Sequence, residues 1–243
     1  MSGKVKLEVD EIISLIRHSN EPTVLIEGSD DVIVYRKIES MVDVSVLPTG
    51  GRVPLLEIFR RRAEFPGKKV AFIADLDFWC VTGVPDEYLN QILVFTDGYS
   101  IENEVFVDAN ICEMFSEDEK RIFSDELSKF NFWYSLALSR HVLDRKEVIS
   151  YHPDNIFASP DAYDIFCKLR MNEVYPQEMY DIISDNPYKK IRGKSLMDLA
   201  IRQLGKKGRN VVHRNSKTFL EFAAAKPGDS LNRIFQKIKD IMG

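Results

Sequence analysis

The chain has 243 residues, 44% hydrophobic and 29% charged, a balance that supports a sizeable buried core and excludes a disordered or low-complexity protein. No apolar run approaches the roughly 18 to 20 residues of a membrane-spanning helix, and the N-terminal MSGKVKLEVDEI lacks the apolar core of a signal peptide, so the expected location is the cytoplasm, with no membrane partner. A formal net charge of −5 argues against a polyanionic partner when taken as an average.

In chain order, residues 8 to 18 (EVDEIISLIRH) carry helical spacing, and Pro22 leads into the extended apolar run TVLIE that ends at Glu27. After Gly28, Ser29 or Asp30 caps a helix through about Met41. The β-branched run VSVLP and the turn Thr49, Gly50, Gly51 come next. Residues 53 to 64 read as helix, and KVAFIAD after Gly67 reads as a strand buried on both faces. QILVFTD is a further strand, broken by Asp97 and Gly98, and SIENEVF begins a helix. From about residue 112 onward the segments 116 to 146, 160 to 171, 193 to 205 and 216 to 241 read as helices, with no strand and no internal repeat.

Strands alternating with helices predict an α/β fold with a parallel sheet, whose ligand crevice lies beyond the carboxyl ends of the strands. Glu27 ends the first strand, Asp75 and Asp77 end the third, and Asp97 and Glu102 follow the fourth, so such a fold gathers them at one edge. Mg²⁺ takes oxygen ligands, commonly one or two carboxylates completed by water and substrate phosphate, and converging acids suit it. The DxD spacing by itself is weak, because a strand-end acid is often a loop or helix cap.

The second chemical signal is charge asymmetry. From Lys189 onward fourteen Lys and Arg face only Asp198, Glu221, Asp229 and Asp240, a net of +10 that leaves −15 for the rest. An acidic core with a cationic tail suits an enzyme acting on a nucleic acid, and Arg192, Lys206, Lys207, Arg209 and Arg214 form its best phosphate-contact patch. The plain alternative is a solvated helix face.

Other residue types are less informative. Cys80, Cys112 and Cys167 are widely spaced with no CxxC pair, which predicts packing and not a disulfide or zinc site. His18, His141, His152 and His213 show no metal-ligand spacing, although His213 lies in the basic stretch RNVVHRN. Phe130, Phe132, Trp133 and Tyr134 could stack on bases, but their Leu-rich helical setting favours core or a partner interface. No GxSxG elbow supports a Ser or Cys nucleophile.

Order raises the specificity. A strand ending in Glu27-Gly28, Asp31 shortly after, and a later strand ending in Asp75 and Asp77 resemble the TOPRIM fold of topoisomerases, bacterial primases and OLD-type nucleases, over roughly residues 20 to 110. In that family the first Glu is a general acid or base or a metal ligand, and the DxD acids hold Mg²⁺. The fuller train LIEGSDD, TGG, FIADLDF, TDGYSIEN and KKIRGKSL is similar to the TOPRIM effectors of the PARIS anti-phage defence systems, across nearly the whole chain.

The resemblance implies a TOPRIM catalytic domain over residues 1–110, then a mainly α-helical region over 111–243 with a basic C-terminal tail. It implies Glu27 as catalytic, Asp75 and Asp77 as ligands of Mg²⁺ with Mn²⁺ able to substitute, and Glu102 as a further acid at the site. It also implies an ABC-type ATPase partner that holds the effector until a phage trigger, and a toxic nuclease that cuts tRNA. Asp31 stands between metal ligand and helix-end carboxylate, one turn into its helix. Glu104 faces away from the target of Glu102, since residues two apart on a helix do not share a face. Lys194 is a secondary candidate for neutralising phosphate or transition-state charge, or else a solvated helix start after Gly193.

Two functions remain in competition. The first is a metal-dependent nuclease; the second is a non-catalytic module docking on an ATPase. A haloacid-dehalogenase phosphatase with Asp75 as nucleophile fits less well, because Trp79 stands where that family has Thr or Val. The chain is too short for strand passage, and it lacks a zinc module for priming. Homodimerisation suits a switched nuclease, but no heptad or self-complementary patch establishes it.

Overall fold

The structure is a computed structural model that describes residues 7–243. In chain order its elements are α1 (Val9–His18), β1 (Thr23–Ile26), α2 (Val32–Tyr35), β2 (Ser45–Pro48), α3 (Arg52–Arg60), β3 (Val70–Ala74), α4 (Trp79–Thr82) and β4 (Leu93–Phe95). There follow α5 (Ile101–Asp108), α6 (Glu117–Asp144), α7 (Pro153–Ile156), α8 (Pro160–Phe166) and α9 (Gln177–Asp185). The last are α10 (Pro187–Lys190), α11 (Gly193–Leu204), α12 (Ser216–Ala225) and α13 (Asp229–Met242). The fold is α/β, with one parallel four-stranded sheet in the order β2-β1-β3-β4.

The chain divides into two compact units that alternate along it. The first contains the described residues up to Leu76, with Val84–Thr96 and Leu220–Gly243; the second contains Asp77–Gly83 and Asp97–Phe219. This differs from a single boundary near residue 110, and the cause is packing. The amphipathic α13 buries Leu231, Ile234, Phe235 and Ile238 and contacts β3 and β4, whereas α5 contacts α10 and α11.

In the first unit, every residue of β1 and of β3 is buried, as expected for central parallel strands that read as unbroken apolar runs. Phe59 of α3 meets Phe72 of β3 edge-to-face at 5.4 Å, and α1 packs Ile12, Ile13 and Ile16 inward. Each such large apolar side chain contributes about 1.5–3 kcal/mol through burial. The helix expected through Met41 is instead the single turn α2 followed by a 3-10 segment, Arg36–Ser40.

The second unit is helical, and no strand follows Phe95 among the described residues. Its long helix α6 starts at Ser116, whose hydroxyl accepts the Glu119 N–H while Glu119 accepts the Ser116 N–H, a reciprocal cap that satisfies two otherwise orphaned donors. Phe130, Trp133, Tyr134 and Leu138 bury its inner face, against which α9 and α11 pack. No helix among the described residues is long and apolar enough to cross a membrane.

Candidate functional site

Chain order in the sheet reverses between β1 and β3, because β1 leads outward to β2 and β3 outward to β4. Such a switch point opens a crevice beyond the strands' carboxyl ends. Glu27 and Asp75 are the first residues beyond β1 and β3. The Asp75 N–H donates to Glu27 Oε1 at 2.9 Å, and the Glu27 side chain is 13% exposed.

The turn after β2 is sewn onto the same strand end. Gly50 and Gly51 donate their N–H groups to the Glu27 carbonyl at 3.0 and 2.8 Å, and the buried Thr49 hydroxyl donates to the Ile26 carbonyl at 3.0 Å. Gly51 turns with φ 134°, a conformation that side chains resist, and delivers Arg52 as the first residue of α3. Arg52 Nη1 lies 3.5 Å from Glu27 Oε1 and donates to the Asp75 carbonyl. Nothing in the sequence singles out Arg52 except its place after the TGG turn.

Asp31 does not stand one turn into its helix. It is the residue before α2, and its Oδ2 accepts the Gly28 N–H at 2.8 Å, closing the turn that follows Glu27. Thr96, at the end of β4, accepts the Leu76 N–H at 3.0 Å and so fixes the backbone between Asp75 and Asp77.

In the second unit Asp77 adopts a left-handed φ of 51°, a region Asp enters more readily than most residues, and its N–H donates to the Tyr99 carbonyl at 2.7 Å. Glu104 is 1% exposed and accepts the N–H groups of Asp97 and Gly98 at 2.7 and 2.6 Å. No local pattern announces this anchoring. Glu102 accepts the Ser100 hydroxyl at 2.5 Å. Asn103 donates to the carbonyls of Tyr188 and Ile191 at 2.6 and 3.0 Å, which ties the start of α5 to the segment before α11.

Gly193 completes that junction. A Cβ there would lie 2.6 Å from Asn103 Oδ1, 2.9 Å from Glu102 Cβ and closer still to the Ser100 hydroxyl, so the start of α11 approaches α5 only without a side chain. The structure thereby brings the Arg192–Lys194 turn beside Glu102, with Lys194 exposed. Asp198, one turn further along α11, lies 3.6 Å from His152 Nε2. Burial pushes its carboxyl up, opposed by His152 and Arg192 and reinforced by Asp154 and Glu102. Its i+4 spacing from Lys194 is the one signal that the sequence offers for it.

The basic tail separates into two kinds of residue. Lys206, Lys207 and Arg214 are exposed, but Arg209 donates to Glu119 at 2.6 Å and to the Met114 carbonyl at 3.0 Å and serves the fold. His213 packs its ring on Phe219 at 5.3 Å. Phe130, Trp133 and Tyr134 are buried, and Phe132 stacks on Tyr175 at 4.3 Å. Burial raises the thiols of Cys80, to about 12, and of Cys112 and Cys167, and all three are free cysteines.

Among the described residues, no group of three or more His, Cys, Asp and Glu side chains is arranged to hold a metal ion by itself. Glu27 and Asp75, at adjacent strand ends, are carboxylates of the kind that Mg²⁺ uses, one or two completed by water and substrate oxygen. The guanidinium already drawn to Glu27 marks the spot as one that favours positive charge. No protein-family model matches the chain, and no curated protein matches it.

Proposed function

We propose that the chain is a Mg²⁺-dependent TOPRIM-type nuclease, an AriB-like effector of PARIS-type anti-phage defence that cuts tRNA after release from an ABC-type ATPase. The observation that carries this reading is the joining of Glu27 to Asp75 across adjacent strand ends at the sheet's switch point. Asp75 and Asp77 are the residues that would hold the ion, with Asp31 and Glu102 as further acids. When bound, the ion supplies an activated water and charge stabilisation at the phosphodiester.

The rest falls to the chain's own side chains. Glu27 takes a proton, Lys194 and Arg192 neutralise substrate phosphate, and Lys206, Lys207 and Arg214 add salt-sensitive contacts that carry no sequence preference. Arg209 leaves that group because it is already paired with Glu119.

The test compares wild type with Glu27→Ala and Asp75→Ala on total tRNA, plasmid DNA and single-stranded DNA, in Mg²⁺, Mn²⁺ or EDTA. Metal-dependent cleavage of tRNA that both folded variants lose supports the reading. Cleavage of DNA alone removes the tRNA assignment, and no cleavage, even with a cognate ATPase and trigger, removes the nuclease.

A second reading, a non-catalytic module docking on an ATPase, draws on the exposed apolar side chains Leu143, Ile165, Met171 and Val174 of the helical unit. Large apolar groups left in water mark an interaction surface where they form one contiguous patch. Retained binding to the ATPase together with absent cleavage favours it.

A further inference from the structure

We infer that Arg52 is a placeholder cation, neutralising Glu27 while no divalent ion is bound and yielding its place when one arrives. The inference rests on the proposed reading in which Asp75 and Asp77 hold the ion and Glu27, on the neighbouring strand end, stands beside it as the proton acceptor.

Three contacts carry it. Arg52 Nη1 lies 3.5 Å from Glu27 Oε1, the same guanidinium donates to the Asp75 carbonyl, and the Asp75 N–H donates to Glu27 Oε1 at 2.9 Å. The guanidinium is thus held to both strand ends, and with side-chain exposures of 18% for Arg52 and 13% for Glu27, water does little to screen the pair. A carboxylate so enclosed is stabilised by a positive partner beside it, in addition to its hydrogen bonds. The turn that supplies one is fixed by the Gly50 and Gly51 N–H groups on the Glu27 carbonyl.

A divalent ion bound beside Glu27 meets this guanidinium at close range, where like charges repel strongly. Arginine cannot relieve the repulsion by losing its proton. Movement is the remaining route, and a long side chain on the first residue of a helix has the freedom for it. Departure of Arg52 removes one contact at Glu27 Oε1 and leaves the Asp75 N–H in place there.

The experiment uses the full chain as wild type, Arg52→Met, Arg52→Lys and Arg52→Met with Glu27→Gln. Melting is followed in EDTA and in MnCl₂, and free Mn²⁺ is read by electron paramagnetic resonance. In EDTA, Arg52→Met melts several degrees below wild type, and adding Glu27→Gln brings the melting temperature back up. The half-saturating Mn²⁺ of Arg52→Met falls about tenfold, since the competing charge is gone, while Arg52→Lys stays near wild type.

Mn²⁺ binding to wild type that Arg52→Met leaves unchanged or weakens overturns the placeholder alone. Binding to none of the variants overturns the metal reading and the placeholder with it. Should Arg52→Met not fold, Arg52→Gln, which keeps a donor for the Asp75 carbonyl, is put through the same two readouts.

Discussion

Glu104 holds the Asp97 backbone: its carboxylate, 1% exposed, accepts the Asp97 N–H at 2.7 Å and the next N–H, of Gly98, at 2.6 Å. A polar group this deep is tolerated because it is hydrogen-bonded. Glu104→Ala leaves both donors without this acceptor and is expected to cost about 3 kcal/mol in urea unfolding, with Glu104→Gln costing less.

The junction at Gly193 admits no side chain. Gly193→Ala pushes a methyl group against Ser100, Asn103 and Glu102 and is expected to destabilise the fold by about 2 kcal/mol. Ser100→Gly removes the nearest obstacle, so Gly193→Ala should cost less in that background. Urea unfolding of the two single variants and the double variant measures the coupling.

Charge deletions in the basic tail should part company. Replacing Lys206, Lys207 and Arg214 by Ala is expected to leave the melting temperature in place and to flatten the salt dependence of nucleic-acid binding, by about 0.7 to 0.9 in log–log slope for each phosphate no longer neutralised. Arg209→Ala instead lowers the melting temperature, because it breaks the pair with Glu119. Fluorescence binding titrations at several salt concentrations, beside thermal melts, separate the two classes.

Acid should loosen the helical unit through Glu173. Arg140 grips this carboxylate with Nε at 2.7 Å and Nη2 at 2.6 Å and holds it well below the usual value, from 4.5 to about 2, despite an opposing effect of burial. The folded form is therefore the stronger acid, and the unfolded chain takes up the proton first. The stabilisation, on the order of 3 kcal/mol, is complete above the unfolded value and disappears as pH falls through about 2. Melting against pH should show this fall in wild type and a flatter curve in Glu173→Gln.

Elements whose period is long and whose ends are marked are readable from sequence. The helix expected over 193 to 205 is Gly193–Leu204, and that expected over 116 to 146 is Glu117–Asp144. The expected helix over 216 to 241 is two, α12 and α13, parted by the Pro227-Gly228 break. What is not readable is destination. The apolar stripe of α13 announces that it is buried but not that β3 and β4 are what it covers. Charge counts treat Arg209 and Lys207 alike, although one is committed to Glu119 and the other faces water.

Glu104 illustrates the same limit at the candidate site. Helical periodicity separates it from Glu102 by face, yet nothing local says that its face is the interior or that a loop will supply its donors. Arg52 is obscured for a related reason, since an arginine after a glycine turn reads as an ordinary helix start until the strand ends lie beside it.

The packing of α13 against β3 and β4 also sets an order of events during synthesis. The ribosome delivers this helix after every other described element, so an emerging chain carries both acid-bearing strand ends long before the cover for β3 arrives. A nascent chain interrupted before Gly228 lacks Leu231, Ile234, Phe235 and Ile238, and the sheet's apolar face stays open to solvent and chaperones. A sheet finished only by its last helix therefore completes its packing after the rest of the described chain has been made.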